Sequence, residues 1–173
     1  MQKLLILCAL EQELPSSKNP YRDQTFYTGV GKVNAAIMAS SLIDSLQPDL
    51  VINLGTAGSC NAQLKGIIEC GIFKDRDDSK NFISDSTICF DKNLYTVSTG
   101  DNFASEEVGD CDVVDMEAYA IAKVCKGRRV AFKCYKYITD YVNSDSEKDW
   151  NKNVSKGLPF FLEKINDYFK NAV

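Results

Sequence analysis

Lys32-Val-Asn-Ala-Ala-Ile-Met-Ala-Ser-Ser-Leu-Ile-Asp-Ser-Leu46 is followed, after Gln47-Pro-Asp49, by Leu50-Val-Ile-Asn-Leu54 and then by Gly55-Thr-Ala-Gly-Ser59. The first piece places Val33, Ala36, Ile37, Leu42, Ile43 and Leu46 on one broad helical face. Pro48 disfavours helical backbone in the residue before it and stops the helix there. The second piece is a short apolar run closed by glycine, the pattern of a strand buried on both faces. A helix that delivers the chain directly into a buried strand is the unit of a layered α/β domain with a largely parallel sheet.

Working outward, the same alternation continues. Leu4 to Leu10 reads as a buried first strand. Glu11 and Glu13 follow it directly, where a leader peptide would carry a small-residue cleavage site. Thr25-Phe-Tyr-Thr-Gly-Val30, Leu94-Tyr-Thr-Val-Ser98 and Val130-Ala-Phe-Lys-Cys-Tyr-Lys-Tyr-Ile138 are strand-like, and Ile67 to Phe73 and Ser86 to Phe90 are weaker candidates. Met116 to Cys125 is helix-prone, with Gly127 as its expected stop. Val154 to Phe169 carries Leu158, Phe161, Leu162, Ile165 and Phe169 at helical spacing, an amphipathic closing helix. Lys74 to Asn81 is expected to be an exposed loop. No repeat or linker divides the chain, so residues 1–173 are expected to form a single domain.

Composition narrows the chemistry. Of 173 residues, 45% are hydrophobic and 25% charged, and the net charge is -4, which supplies neither a membrane span nor the basic footprint of a nucleic-acid binder. The protein is therefore expected to be soluble, with no nucleic acid and no membrane among its partners. There is no histidine, which removes Ser-His-Asp and Cys-His nucleophiles, His-ligated zinc and a His general base. The cysteines at 8, 60, 70, 89, 111, 125 and 134 include no CxxC pair and read as small buried hydrophobes in a reducing compartment, making the cytoplasm the expected location.

Proton chemistry then falls to carboxylates, Cys, Lys or Tyr, and three acidic segments stand out. Ala9-Leu-Glu-Gln-Glu13 leaves the first strand, Val113-Val-Asp-Met-Glu-Ala118 leads into a helix, and Tyr137-Ile-Thr-Asp-Tyr141 ends the longest strand. The turn expected at Asn53-Leu-Gly-Thr-Ala-Gly-Ser59 lacks both the Lys-Ser/Thr ending of a phosphate loop and the GxGxxG spacing of a dinucleotide site. Taken singly, Glu13 also reads as a solvated loop carboxylate, Asp115 or Glu117 as a helix-start charge, and Asp140 as a turn residue or N-cap. In a parallel sheet all four segments would meet at one edge, where paired carboxylates suit general acid and base work.

Tyr27-Thr-Gly-Val-Gly-Lys-Val-Asn-Ala-Ala36, Val51-Ile-Asn-Leu-Gly-Thr-Ala-Gly58, Ser98-Thr-Gly-Asp-Asn-Phe103, Val114-Asp-Met-Glu-Ala-Tyr-Ala-Ile-Ala122 and Ile138-Thr-Asp140 resemble, in order, the signatures of the nucleoside phosphorylase/nucleosidase superfamily. The nearest branch is the 5'-methylthioadenosine/S-adenosylhomocysteine nucleosidases, in a shortened form trimmed between Glu13 and Thr25 and between Gly58 and Leu94. The resemblance implies a three-layer αβα fold with a mixed, largely parallel central sheet. It implies hydrolysis of the N-glycosidic bond of a purine nucleoside such as methylthioadenosine, adenosylhomocysteine or futalosine.

In those terms Glu13 would activate the attacking water, Asp140 would protonate the departing base, and Glu117 would hold the ribose hydroxyls and favour the charge developing on the sugar. Met116 would pack on the sugar, Thr56, Ala57 and Gly58 would lie along the nucleoside, Phe103 would stack on the base, and Val30 and Leu10 would be apolar walls. Lys136 stands where arginine is common in the family. No cofactor and no metal are implied, and a homodimer is. A phosphate-dependent phosphorylase and a non-catalytic nucleoside-binding member are the alternatives.

Overall fold

The computed structural model describes residues 3–78, 85–104, 106, 108–143 and 145–170. β1 (Leu4–Cys8) is buried along its whole length, as an apolar run without polar alternation requires. It pairs in parallel with β2 (Thr25–Tyr27) on one edge and β3 (Leu50–Ser59) on the other. Successive side chains point to opposite faces. Leu5 and Leu7 accordingly join one core with Val51 and residues of α1 (Lys32–Leu46) and α2 (Ala118–Arg128), whereas Leu4, Ile6 and Cys8 join a second core with Phe161 and Ile165 of α4 (Leu158–Lys170).

α1 has the predicted boundaries, and Gln47 ends it in the left-handed conformation with φ 49°. Its buried face differs from the expected one. Ala35, Ala39 and Ile43 are covered, while Val33 and Ile37 are 67% and 66% exposed. Each stands two residues before an alanine of the buried stripe, about 200° round the helix. α2 begins at Ala118, Gly127 lies inside it, and Arg129 is the left-handed cap at φ 57°. Val113–Asp115, expected to lead into that helix, is a strand, β7. α3 (Ser146–Asn153) is a short polar helix without the apolar periodicity that reveals one in sequence.

The Gly-Thr-Ala-Gly segment expected as a turn is strand, because β3 runs on through Ser59 with both edges paired. β8 (Ala131–Tyr141) lies parallel to it throughout, and β7 takes Gly58 and Ser59 antiparallel. β4 (Ile67–Asp75), β5 (Thr87–Cys89) and β6 (Tyr95–Thr99) complete an eight-stranded sheet. The expected loop at Lys74 to Asn81 is thus strand at its start, and residues 79–81 of it lie outside the described residues.

The mixed, largely parallel character holds, since β1–β2, β1–β3, β3–β8, β4–β6 and β6–β7 are parallel and β3–β7, β4–β8 and β4–β5 antiparallel. The layering differs from the three-layer expectation. Helices do flank both sides of β1 and β3, but the strands between them do not form an open layer: β3, β7, β6, β4 and β8 close on themselves. β8 is long enough to give one edge to β3 and the other to β4, and a register shift at Ala57/Gly58 bends β3 toward closure.

The cysteines also depart in part from expectation. Cys8, Cys70, Cys125 and Cys134 are buried, but Cys60 and Cys111 are half-buried and Cys89 is exposed. Among the described residues no helix is long and apolar enough to cross a membrane.

Candidate active site

The ends of β1, β3, β7 and β8 and the loops after β2 and β6 surround a partly open cleft. Glu13, Val30, Thr56, Ala57, Gly58, Phe103, Met116, Glu117 and Asp140, which come from six separate segments of the sequence, line it together with Leu10. The structure adds Arg76, Asn102, Val114, Asp115 and Trp150 to that wall.

Glu13 follows β1 and is 3% exposed, so it is not a solvated loop carboxylate. Its Oε1 accepts the Thr56 N–H and the Thr56 hydroxyl, both at 2.8 Å; its Oε2 accepts the Leu10 N–H at 3.1 Å and the Cys8 thiol at 3.3 Å. A buried carboxyl needs such donors to replace lost water. Burial and the adjacent Glu13 push the Cys8 thiol well up, which keeps it a protonated donor. The Thr56 hydroxyl, while donating its hydrogen bond to Glu13, accepts the Trp150 indole N–H at 2.9 Å. Trp150 also meets Phe103 edge to face, with centroids 6.0 Å apart.

Asp115 ends β7 and anchors the start of α2: its Oδ2 accepts the Ala118 N–H at 2.8 Å and its Oδ1 accepts the Thr99 hydroxyl at 2.5 Å. The bland reading of this acid as a helix-start charge is therefore correct for one of its contacts. Its other partner is Lys136, whose Nζ lies 2.8 Å away and is buried with it. Burial opposes the Lys136 charge, but Asp115 and the other groups around it outweigh burial and raise the ammonium above its ordinary value. Gly55 makes room for this side chain, because a Cβ there would stand 3.1 Å from Nζ.

Glu117 is 7% exposed and accepts the Gly31 N–H at 2.9 Å. Burial, reinforced by the negative charge of Asp115, pushes its carboxyl up to about 8. Asp140 is inside β8 rather than in a turn beyond it. Burial raises its carboxyl, Thr139 and Ser146 pull it down by hydrogen bonding, and Asp149 raises it further. It lies directly over Gly58, where a Cβ would come within 2.7 Å of its Oδ2; only glycine permits this approach.

Two residues with a clear part in this geometry escaped the sequence reading as site members. Lys136 was marked only as a departure from a family pattern, although a lone lysine inside the apolar run Phe132 to Ile138 is itself a signal of a buried charge pair. Trp150 sits in the polar stretch from Asn143 to Asn153, where nothing but its being the single tryptophan marks it.

A model of the phosphorylase superfamily matches residues 25–66, from β2 through α1 and β3. Over that segment the chain is similar to the phosphorylase superfamily. Among its relatives are the 5'-methylthioadenosine/S-adenosylhomocysteine nucleosidases of Buchnera aphidicola, 26% identical over 80% of this chain and 78% of that one, and of Bacillus subtilis, 27% identical over 80% and 76%. The fold matches solved structures. The Helicobacter pylori nucleosidase carrying D198N, with 5'-methylthioadenosine in its active site, aligns at TM-score 0.84 and 18% identity over 97% of this chain and 99% of that one. A Helicobacter pylori futalosine hydrolase mutant aligns at TM-score 0.80 and 18% identity over 91% and 94%.

Proposed function

We propose that this protein is an N-glycosyl hydrolase that cleaves a purine nucleoside of the methylthioadenosine, adenosylhomocysteine or futalosine kind and releases the free base. The curated relatives are nucleosidases of that class. The observation that carries the reading is the pairing of two differently held acids in one cleft, Glu13 gripped as a hydrogen-bond acceptor by Thr56 and Leu10 and Asp140 raised toward its protonated form. Glycosidic cleavage through an oxocarbenium-like state needs this pair, one group to activate water and one to protonate the leaving group.

In this reading Glu13 takes the proton of water and Asp140 gives one to the base. Glu117, still protonated near neutrality at a value of about 8, donates to one ribose hydroxyl and accepts from the other. Phe103 stacks on the base, Met116 packs on the sugar, and Thr56, Ala57 and Gly58 run along the nucleoside. Val30 and Leu10 wall the pocket. Lys136 pairs with Asp115 at 2.8 Å and sets a buried cation behind the acids of the cleft wall. No cofactor or metal enters these steps.

Hydrolysis is favoured over phosphorolysis because Glu13 offers the cleft an acceptor rather than a donor for a phosphate dianion, and the buried Lys136 is already paired with Asp115. The reading takes residues 1–173 as one domain, supported by the two cores sharing β1 and β3. It also includes a homodimer, supported by the exposed apolar row Val30, Val33 and Ile37 beside the cleft mouth, and a cytoplasmic location, in keeping with the absence of a paired-cysteine motif from the sequence. Incubation with a nucleoside panel, followed by chromatography of free base with and without phosphate, is expected to show release that phosphate does not change. No release from any member overturns the hydrolase reading, and strict phosphate dependence turns it into a phosphorylase.

A further inference from the structure

The chemistry of the cleft uses no cysteine as a reacting group, yet two cysteines meet just behind it. Cys60 follows β3 directly, and Cys111 stands two residues before β7. The two strands pair antiparallel through Gly58–Val114 and Ser59–Val113, and the Cys60 N–H extends the ladder to the Asp112 carbonyl at 2.9 Å. The ladder brings the two sulfurs to 3.3 Å across 51 positions of chain. A disulfide needs about 2.05 Å, so side-chain rotation over little more than an ångström closes the gap.

Cys70 and Cys134 are also opposite one another, on β4 and β8, but both are buried. Cys89 is exposed and lies on another strand. Among these cysteines, Cys60 and Cys111 alone combine a cysteine neighbour with partial exposure of the residue.

We propose that Cys60 and Cys111 form a reversible disulfide site that takes small-molecule disulfides as its co-reactant. The Cys60 thiolate attacks one sulfur of the small disulfide, breaking its S–S bond and making a mixed disulfide; the departing thiolate takes up the Cys111 proton. The Cys111 sulfur then attacks the Cys60 sulfur and expels the second thiolate, which is protonated by the proton Cys60 released at the start. Two protein thiols are oxidised to one disulfide, and one small disulfide is reduced to two thiols. The roles follow from the contact, in which either sulfur can donate: the hydrogen bond with Cys111 holds the Cys60 thiol below its ordinary value, while the same contact and burial raise Cys111. The link would tie the exit of the strand carrying Thr56, Ala57 and Gly58 to the segment entering Val114 and Asp115.

The test needs no substrate and so stands apart from the hydrolase reading. The full chain carrying Cys89→Ser is incubated with oxidised glutathione, quenched by alkylation, and followed by intact mass, peptide mapping and thermal melting. The expected result is loss of the mass of two hydrogens, joined Cys60 and Cys111 peptides, reversal by dithiothreitol and a melting temperature higher by about 10 °C. Cys111→Ser, or Cys111→Ala if the serine variant is poorly folded, stops with one glutathionyl group on Cys60. Cys60→Ser gives neither link nor adduct at Cys111. Free alkylatable thiols at both positions, a lasting adduct on Cys60 while Cys111 is present, or a Cys70–Cys134 link in place of this one overturns the proposal.

Discussion

Glu13 and Glu117 share one cleft and nearly the same burial, 3% and 7% exposed, but their surroundings are opposite. Glu13 receives hydrogen bonds from Thr56, Leu10 and Cys8 on both oxygens. Glu117 receives one, from Gly31, and has the acid Asp115 beside it, so that its carboxyl rises to about 8. Depth alone therefore does not decide what a carboxyl does in a protein interior. The donors and charges that replace water decide it, and here they separate a well-donated acceptor from a carboxyl raised toward its protonated form within one pocket.

The comparison is broken most directly at Glu13. Glu13→Gln is expected to lower base release by about 10²–10⁴-fold, the range of a positioned general base, as measured by steady-state kinetics. It is also expected to cost about 1–3 kcal/mol of stability, since either orientation of the amide turns an NH₂ toward an N–H donor. Near wild-type turnover in this variant would remove Glu13 from the role given to it.

Lys136→Met tests the ion beneath both glutamates. It leaves Asp115 buried without its cation, and denaturant titration is expected to show a loss of about 3–5 kcal/mol. A neutral outcome would show that the buried Asp115–Lys136 contact adds nothing to stability.

At Glu117 the expected effect is a pH dependence of a few kcal/mol at most. The unfolded chain gives up this proton near the ordinary value of 4.5, whereas the folded chain keeps it to about 8. The folded state thus binds more protons in that window. The contribution is complete below the lower value, declines as pH rises through the window, and is gone above the upper one. Glu117→Gln, which imitates the protonated form, is expected to flatten the decline in denaturant midpoints measured between about pH 5 and about pH 8.5. An unchanged slope would place the proton elsewhere.

The smallest effect belongs to Trp150→Phe, which keeps an aromatic ring against Phe103 but removes the N–H to Thr56. About 0.5–1.5 kcal/mol is expected in thermal melts, and Thr56→Val in the same background should add less than it does alone. Strict additivity would show that the indole and the hydroxyl do not act on each other.

Much of this was readable in advance. α1 was legible at both ends because its apolar spacing and Pro48 are local signals, and β1 and β8 were legible because continuous apolar runs of β-formers have few alternatives. The acids Glu13, Glu117 and Asp140 could be proposed because their motifs occur in order. What escaped was set by partners distant in sequence. Gly55 to Ser59 looks like a turn until β7 and β8 pair with its two edges; Val33 and Ile37 look like core until Ala35 and Ala39 take the sheet-facing side; and Trp150 belongs to the cleft only because α3 turns it toward Thr56.

By itself, then, the chain order of apolar runs, glycines and acids determined a mixed α/β domain without histidine chemistry, because hydrophobic periodicity, proline and glycine act within a few residues of themselves. Only the tertiary structure decided that the sheet closes through β8, that Lys136 lies under the acids, that Glu117 rather than a more exposed carboxyl keeps its proton near neutrality, and that Cys60 meets Cys111. Each of these depends on strand partners and on a local dielectric that exist only once distant segments have excluded water between them.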